Sequence, residues 1–205
     1  MPGERTAPVA GVVLAAGTSS RMGENKLLFE LEGESVVRRA VSRASAAGLD
    51  PVVVVLGHEA DRVRHELSGL PCRWVVNPDF ATGINGSLKA GIAALPATIG
   101  AAVVLLPDMP FVTAEMLATL VERYRAGTAP LVISDYEGVN APPMLYDRSL
   151  FAELLLMEGE GCGRQVVRQH RAEAAVVIFA AAALTDLDVP DDYDRIRSLL
   201  AAGRS

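Results

Sequence analysis

Residues 9–26, VAGVVLAAGTSSRMGENK, join a short apolar run to a loop of small polar residues that contains two cations. The run Val9–Ala15 has the length and the β-branched content of a buried strand. The loop costs stability, because small polar residues lose backbone entropy on ordering and bury little apolar area in return. We therefore expect the loop to serve a function.

An apolar run, a polar break and a segment with helical spacing recur along the chain in that order. Further strands are predicted at residues 52–57, 73–76, 101–106, 131–134 and 175–179. Helices are predicted around the apolar stripes 36–44 and 116–124, at 150–157 and 164–170, and from Pro190 onward. Apolar strands that alternate with amphipathic helices indicate an α/β fold, with three layers and a mostly parallel sheet covered on both faces.

The pattern loosens beyond residue 135. Two adjacent prolines interrupt YEGVNAPPMLY (136–146), which we therefore predict as an edge strand or a loop rather than a central strand. A glycine-rich break follows at 159–163. Trp74 lies in a predicted strand and is expected in the core.

Length and charge exclude several kinds of protein. A chain of 205 residues that is 50% apolar fits one domain over 1–205. A net charge of −6 argues against non-specific binding to nucleic acid or to an anionic membrane. No apolar run approaches the roughly 18 residues of a membrane helix. Cys72 and Cys162 match no metal spacing, so a reduced, cytoplasmic location is expected.

The loop after the first strand has the composition of an anion site. In an open parallel sheet, ligands bind at the carboxyl ends of the strands. Small residues with accessible N–H groups and two cations suit a polyphosphate; these are Gly17, Thr18, Ser19, Ser20, Gly23, Arg21 and Lys26. The loop is neither a Walker motif, because Glu24 and Asn25 precede the lysine, nor a dinucleotide fingerprint. A flexible, solvated turn is the alternative interpretation.

Two acidic residues are candidate metal ligands. Asp108 ends the apolar segment 101–108, where it could share Mg²⁺ with phosphates or could simply begin the turn before Thr113. Asp188 precedes Pro190 by two positions, which also suits a helix cap. Gly83, Asn85 and Ser87 open another predicted helix, either as a plain cap or as N–H donors to a ligand.

LAAGTSSRMGENKLL (14–28) resembles the signature L-A-[AG]-G-x-S-x-R-M-G-x-x-K of the MobA-like nucleotidyltransferases. NPDFATGINGSLKAG (77–91), PDMPFVT (107–113) and DLDVPDDY (186–193) resemble later motifs of that family, in the same order. The resemblance implies a Rossmann-like fold of the nucleotide-diphospho-sugar transferase type. It also implies a nucleotide-binding half at about 9–125 and an acceptor-binding half at about 126–195.

The resemblance assigns roles to these residues. Arg21, Lys26 and Asp108 would be catalytic, with Mg²⁺ on Asp108 and Asp188. The implied nucleotide contacts are Leu14, Ala15, Ala16, Gly17, Ser19, Ser20, Arg21, Gly23, Lys26, Gly83, Asn85 and Ser87.

The implied reaction transfers CMP from CTP to molybdopterin, or the molybdenum cofactor, and releases pyrophosphate. The guanylyltransferase branch has L-A-G-G where this chain has Leu14-Ala15-Ala16-Gly17, so the resemblance is closest to the cytidylyltransferases. A molybdenum hydroxylase would then be the receiving enzyme.

The chain departs from the family pattern mainly in its second half. Pro107 replaces a glycine, Val189 replaces a threonine, and NAPPML (140–145) and GEGCGR (159–164) match only in part. Three alternatives therefore stay open. They are a nucleotidyltransferase for a sugar or polyol phosphate, an NAD(P)H-dependent reductase built on the same loop, and a catalytically silent nucleotide-binding protein that escorts the cofactor.

Overall fold

The computed structural model describes residues 5–159 and 161–202, so position 160 of the glycine-rich break lies outside the described part. Its strands are β1 (Val9–Ala15), β2 (Glu30–Leu31), β3 (Glu34–Ser35), β4 (Val52–Leu56), β5 (Cys72–Val76), β6 (Ala101–Leu105), β7 (Leu131–Tyr136), β8 (Val139–Asn140), β9 (Met144–Asp147) and β10 (Ala175–Phe179). Its α-helices are α1 (Val36–Ala46), α2 (Ala60–Glu66), α3 (Ile84–Ala93), α4 (Ala114–Arg125), α5 (Phe151–Leu156), α6 (Arg164–Gln169) and α7 (Pro190–Ala202).

An eight-stranded sheet has the order β10-β7-β9-β6-β1-β4-β5, and β8 pairs with β7 at its side. β1 is central and parallel to both β4 and β6, while β9 runs antiparallel to β6 and β7. Since β1, β4 and β6 point the same way, the loops that follow them leave from one edge of the sheet.

Helices cover both faces of the sheet, because the apolar side chains of β1 point alternately to one face and the other. Val9, Val13 and Ala15 face a core shared with α1, α2, α4 and α7. Val12 and Leu14 face a second core shared with α3, α5 and α6. The predicted three-layer α/β fold with a mostly parallel sheet is therefore confirmed.

The interpretation of residues 136–146 as an edge strand or loop is wrong for the end of that segment. Met144–Asp147 forms β9, which lies inside the sheet between β6 and β7. Pro142 and Pro143 both precede the strand. Although the prolines lack N–H groups, every residue within the strand can therefore still donate a hydrogen bond to a neighbouring strand.

The expectation that Trp74 is a core residue is also wrong. Its side chain is 51% exposed, because β5 is an edge strand of the sheet and is only partly covered. Cys72 and Cys162 are free thiols.

Candidate functional site

The loop after β1 folds back on itself at the carboxyl edge of the sheet. Met22 is buried and anchors the loop, and its N–H donates to the Ser19 carbonyl at 2.9 Å. The Ser19 hydroxyl accepts from the backbone N–H of Lys26 at 3.1 Å. The buried Asn25 caps the following 3₁₀ turn through its Oδ1, which accepts from Leu27 N–H. The loop is thus a defined structure, and its last residue, Lys26, is held next to Ser19.

Two acidic side chains converge on the lysine of this loop. Lys26 Nζ lies 2.6 Å from Oδ2 of Asp108, which follows β6, and 2.9 Å from Oδ1 of Asp188, which precedes α7. Arg21 contacts the other oxygen of Asp188 at 2.8 Å. Four residues from three separate segments therefore form one ion-paired cluster.

The cluster fixes the charges of its members. Burial lowers the pKa of Lys26, but the charges of Asp108 and Asp188 outweigh this effect and hold the pKa above its ordinary value. Burial raises the pKa of Asp188, but Lys26 and Arg21 outweigh it and bring this pKa below its ordinary value. Lys26 and Asp188 are consequently both ionised at neutral pH.

The position of Asp188 distinguishes its two predicted roles. Oδ2 of Asp192 accepts from the N–H groups of Asp188 and Val189 at 3.1 and 3.0 Å, so Asp192 satisfies donors at the start of α7. The Asp188 carboxylate instead faces Lys26 and Arg21. A side chain of α7 thus performs the capping, and the Asp188 carboxylate belongs to the cluster.

A cavity of about 360 Å³ opens beside this cluster. The predicted site residues that line it are Leu14, Ala16, Gly17, Ser19, Ser20, Arg21, Lys26, Gly83, Ser87, Asp108 and Asp188. They come from the ends of β1 and β6, the start of α3 and the residues before α7. The structure therefore gathers most of the predicted site around one space of the size of a small-molecule pocket.

Three predicted nucleotide contacts lie outside this lining. Ala15 points to the opposite face of the sheet, because successive strand residues alternate. Gly23 borders a neighbouring cavity on the other side of the loop. Asn85 is buried, donates to the Gly159 carbonyl at 2.5 Å and accepts from Gly163 N–H at 3.3 Å. Asn85 thus ties α3 to the glycine-rich segment.

The cavity also has an apolar side, which the sequence motifs do not indicate. The residues on this side are Phe80, Ala81, Ile84, Leu106, Pro107 and Leu27. Gly57 follows β4, and a Cβ on it would lie 2.6 Å from Phe80 Cβ and 2.8 Å from Ala16 Cβ. A glycine that follows an apolar strand directly was the available signal for this close approach.

Ser87 presents an oriented hydroxyl at the cavity. Asn77 Oδ1 accepts from Asp79 N–H at 3.1 Å, which fixes the carboxamide so that its Nδ2 donates to Ser87 Oγ at 3.0 Å. Because the Ser87 oxygen accepts from Asn77, its own O–H is free to donate in another direction.

The acidic pair has the chemistry of a magnesium site. Within residues 5–159 and 161–202, no group of three or more His, Cys, Asp or Glu side chains could hold a metal. Mg²⁺, however, usually takes one or two protein carboxylates and completes its shell with water and phosphate oxygens. Asp108 and Asp188 already surround a single cation, so the donor set fits this ion.

Comparisons with known proteins agree with this geometry. The family model of the MobA-like NTP transferase domain matches residues 11–174. The purine catabolism protein PucB of Bacillus subtilis is 29% identical over 96% of this chain and all of its own length.

Over the described residues, no helix has both the length and the apolar character needed to span a membrane.

Solved structures share the fold. Rv0371c of Mycobacterium tuberculosis aligns with a TM-score of 0.83 and 26% identity over 94% of this chain and 98% of its own. A nucleotidyl transferase from Methanothermobacter thermautotroptrophicus has a TM-score of 0.83 at 23% identity, over 96% and 99% of the two chains, which supports the fold alone. A family match over most of the chain, on this fold, shows that the protein belongs to the MobA-like NTP transferase domain family and is a nucleotidyltransferase.

Proposed function

We propose that the protein transfers CMP from CTP to molybdopterin, or the molybdenum cofactor, and releases pyrophosphate. The observation that carries this proposal is the cluster of Lys26 and Arg21 with Asp108 and Asp188, beside a cavity that the loop after β1 lines. Cations and backbone N–H groups at the carboxyl end of a central strand are suited to a triphosphate.

The chemistry requires placement more than proton transfer. A terminal phosphate of molybdopterin attacks the α-phosphorus of CTP, a new P–O bond forms, and the bond to the β-phosphate oxygen breaks with its electron pair. The attacking phosphate is already ionised near neutral pH, so the residues need not supply a general base. The protein's task is to bring two anions together and to stabilise the negative charge of the leaving pyrophosphate.

Lys26 and Arg21 are placed for that task. Lys26 is 13% exposed at its side chain, so solvent screens its charge less than that of a surface lysine. Arg21 is 67% exposed and can reorient on the loop when a phosphate arrives. We assign to Lys26 the stabilisation of the leaving group and to Arg21 the grip on the outer phosphates.

Asp108 and Asp188 would hold Mg²⁺. When bound there, the ion supplies positive charge beside the phosphates and orients their oxygens. One structure of Rv0371c is a complex with manganese, which supports a divalent metal in this family.

The choice of CTP rests on Ala16. Its side chain is 4% exposed, lines the cavity and lies in the α3-side core, close to Phe80. A methyl group here narrows the space for the base compared with the glycine of the guanylyltransferase signature. The smaller base is therefore favoured, by the one to two orders of magnitude that a methyl group can typically provide.

The acceptor is assigned to the half at 126–195, as the family resemblance implies. A molybdenum hydroxylase would receive the finished cofactor. The name of the PucB relative, a purine catabolism protein, directs the first search for that enzyme to purine breakdown.

The test is pyrophosphate release from purified protein with Mg²⁺, each nucleoside triphosphate in turn, and molybdopterin, a sugar phosphate or a polyol phosphate as acceptor. We expect release with CTP only when molybdopterin is present. Lys89→Ala serves as a charge-matched control for Lys26→Ala, since Lys89 is the chain's other lysine and lies outside the cavity lining.

Each alternative predicts a different outcome, two of them in parallel measurements of NADPH oxidation and of CTP binding. Release with a sugar or polyol phosphate but not with molybdopterin would replace the acceptor. Oxidation of NADPH without magnesium would indicate a reductase. CTP binding without release under any condition would indicate an escort protein.

A further inference from the structure

We propose that Lys26 occupies the place of the divalent cation in the nucleotide-free protein, so that the metal binds together with the nucleotide rather than before it. The inference rests on the proposed function, because it uses the same carboxylate pair and the same triphosphate loop. It adds that binding of the metal depends on binding of the nucleotide.

The carboxylates of Asp108 and Asp188 are already occupied by side-chain cations. Asp108 Oδ2 and Asp188 Oδ1 both lie within 2.9 Å of Lys26 Nζ, and Asp188 Oδ2 lies 2.8 Å from Arg21. Three of the four carboxylate oxygens are therefore engaged by side-chain cations. A Mg²⁺ ion would need these oxygens at about 2.1 Å, which would bring its two charges close to the ammonium group. The resulting repulsion disfavours both cations in one place.

A backbone hydrogen bond holds the segments of the two carboxylates together. Asp108 follows β6, Asp188 precedes α7, and Leu187 N–H donates to the Asp108 carbonyl at 2.9 Å, so the backbones of the two segments are joined beside the cluster. The two like charges are thus held near each other by the fold, and they need a cation between them. In the absence of ligands, Lys26 provides it.

The side chain of Lys26 can change partners although its backbone is fixed. The backbone is fixed by the Ser19 hydroxyl and by the turn that Asn25 caps, whereas the ammonium is carried on a flexible four-carbon chain. The same loop lines the cavity that we assign to the triphosphate. Phosphate oxygens placed there would compete with the carboxylates for the Lys26 ammonium.

These contacts predict that Lys26 and Arg21 exchange partners when a triphosphate binds. Binding of a triphosphate draws Lys26 and Arg21 from the carboxylates to the phosphates, and Asp108 and Asp188 then become available to a metal. Because each ligand improves the site for the other, the coupling is reciprocal. The free protein is consequently a poor metal binder, although both metal ligands are already in place.

The experiment titrates the nucleotide-free protein with Mn²⁺ and measures unbound Mn²⁺ by electron paramagnetic resonance. We expect Lys26→Met to bind Mn²⁺ about tenfold or more tightly than wild type, because a positive charge next to the carboxylates is removed. Lys89→Met removes the same charge elsewhere and should leave the affinity unchanged. Lys26→Gln should repeat the gain, and thermal unfolding would verify that each variant is folded.

A double variant, Lys26→Met with Asp108→Asn, should lose the gain, because it removes one of the two ligands. An affinity of Lys26→Met and Lys26→Gln equal to that of wild type would overturn the inference, as would a gain that persists in the double variant. The titration involves neither CTP turnover nor an acceptor. It can therefore fail while cytidylyl transfer is demonstrated, and it can succeed with a different acceptor.

Discussion

Lys26 Nζ lies 2.6 Å from Oδ2 of Asp108, although the two residues are 82 positions apart in the chain. The contact exists because β1 and β6 are parallel neighbours, so that the loops that follow them emerge at the same edge of the sheet. Asp188 completes the cluster from the segment before α7. The charge arrangement on which the proposed reaction depends is thus a consequence of strand order.

Lys26→Ala and Asp108→Ala should each lower the rate of pyrophosphate release by about a hundredfold or more, a loss typical of groups that stabilise transition-state charge. Both side chains are partly accessible, so we expect the circular dichroism spectrum to stay as in wild type. Steady-state assays with CTP and acceptor measure the effect, with Lys89→Ala as the control. A wild-type rate in either variant would refute its catalytic assignment.

Asp188→Asn distinguishes a metal ligand from a helix cap. Asparagine is as good a cap as aspartate but lacks the charge that a metal and two cations require. We expect the turnover number to fall by about tenfold or more, with an unchanged circular dichroism spectrum, because Asp192 still caps α7. Asp194→Asn, an exposed substitution on α7, should behave as wild type. Full activity of Asp188→Asn would return this residue to a structural role.

Gly57→Ala should weaken CTP binding. Its new methyl would meet Phe80 Cβ at 2.6 Å and Ala16 Cβ at 2.8 Å, which forces both residues into the cavity that they line. Overpacking of this kind costs about 1–3 kcal/mol, or roughly ten- to hundredfold in affinity. Calorimetric titration with CTP measures it. At Gly127 the added methyl has only ordinary contacts, so Gly127→Ala should bind CTP as wild type does.

Ala16→Gly should reduce the preference for CTP over GTP. Removing the methyl widens the cavity next to Phe80, and a single methyl group contributes about 1–3 kcal/mol to such discrimination. The ratio of kcat/KM for the two nucleotides should fall by about tenfold. An unchanged ratio would show that Ala16 does not read the base, and the cytidine assignment would lose its support.

The ion-paired cluster should make stability depend on pH in a defined direction. The pKa of Asp188 is below its ordinary value of 3.8, because Lys26 and Arg21 outweigh the effect of burial. A depressed carboxylate pKa stabilises the fold above the unfolded pKa and ceases to do so as pH falls through the folded value. The difference in urea midpoint between wild type and Asp188→Asn should therefore be constant from pH 8 to about 5 and shrink below about pH 4. A difference that grows in acid would contradict the pairing.

Lys26 has the opposite dependence. Its pKa lies above 10.5, because the two carboxylates outweigh burial, so its contribution is complete below that pH and is lost as the pH rises through the folded value. Urea midpoints of wild type and Lys26→Met should accordingly converge as the pH rises beyond 10.5 and through the raised pKa of Lys26.

Much of the local structure could be predicted from the sequence. Apolar runs predicted β1, β4, β6 and β10 to within a residue or two, and Thr113, a preferred type of cap residue, caps α4 through its side chain. Composition alone indicated that the loop after β1 serves a function, and the motifs indicated the family that the comparison then showed. These features depend on neighbours in the chain, such as side-chain periodicity and the capping of the next N–H groups.

The tertiary structure decided what depends on distant partners. β9 became a central strand despite two prolines before it, and Trp74 became exposed because its strand is at the edge. Ala16 lines the cavity while Ala15 is buried on the opposite face, since α3 covers one face and α1 the other. The sequence names Lys26, Asp108 and Asp188 as charged residues. Their side chains come into contact only when the fold places three separate segments at the carboxyl end of the parallel strands. Charge interactions act through space and not along the chain, so the sequence alone does not give these contacts.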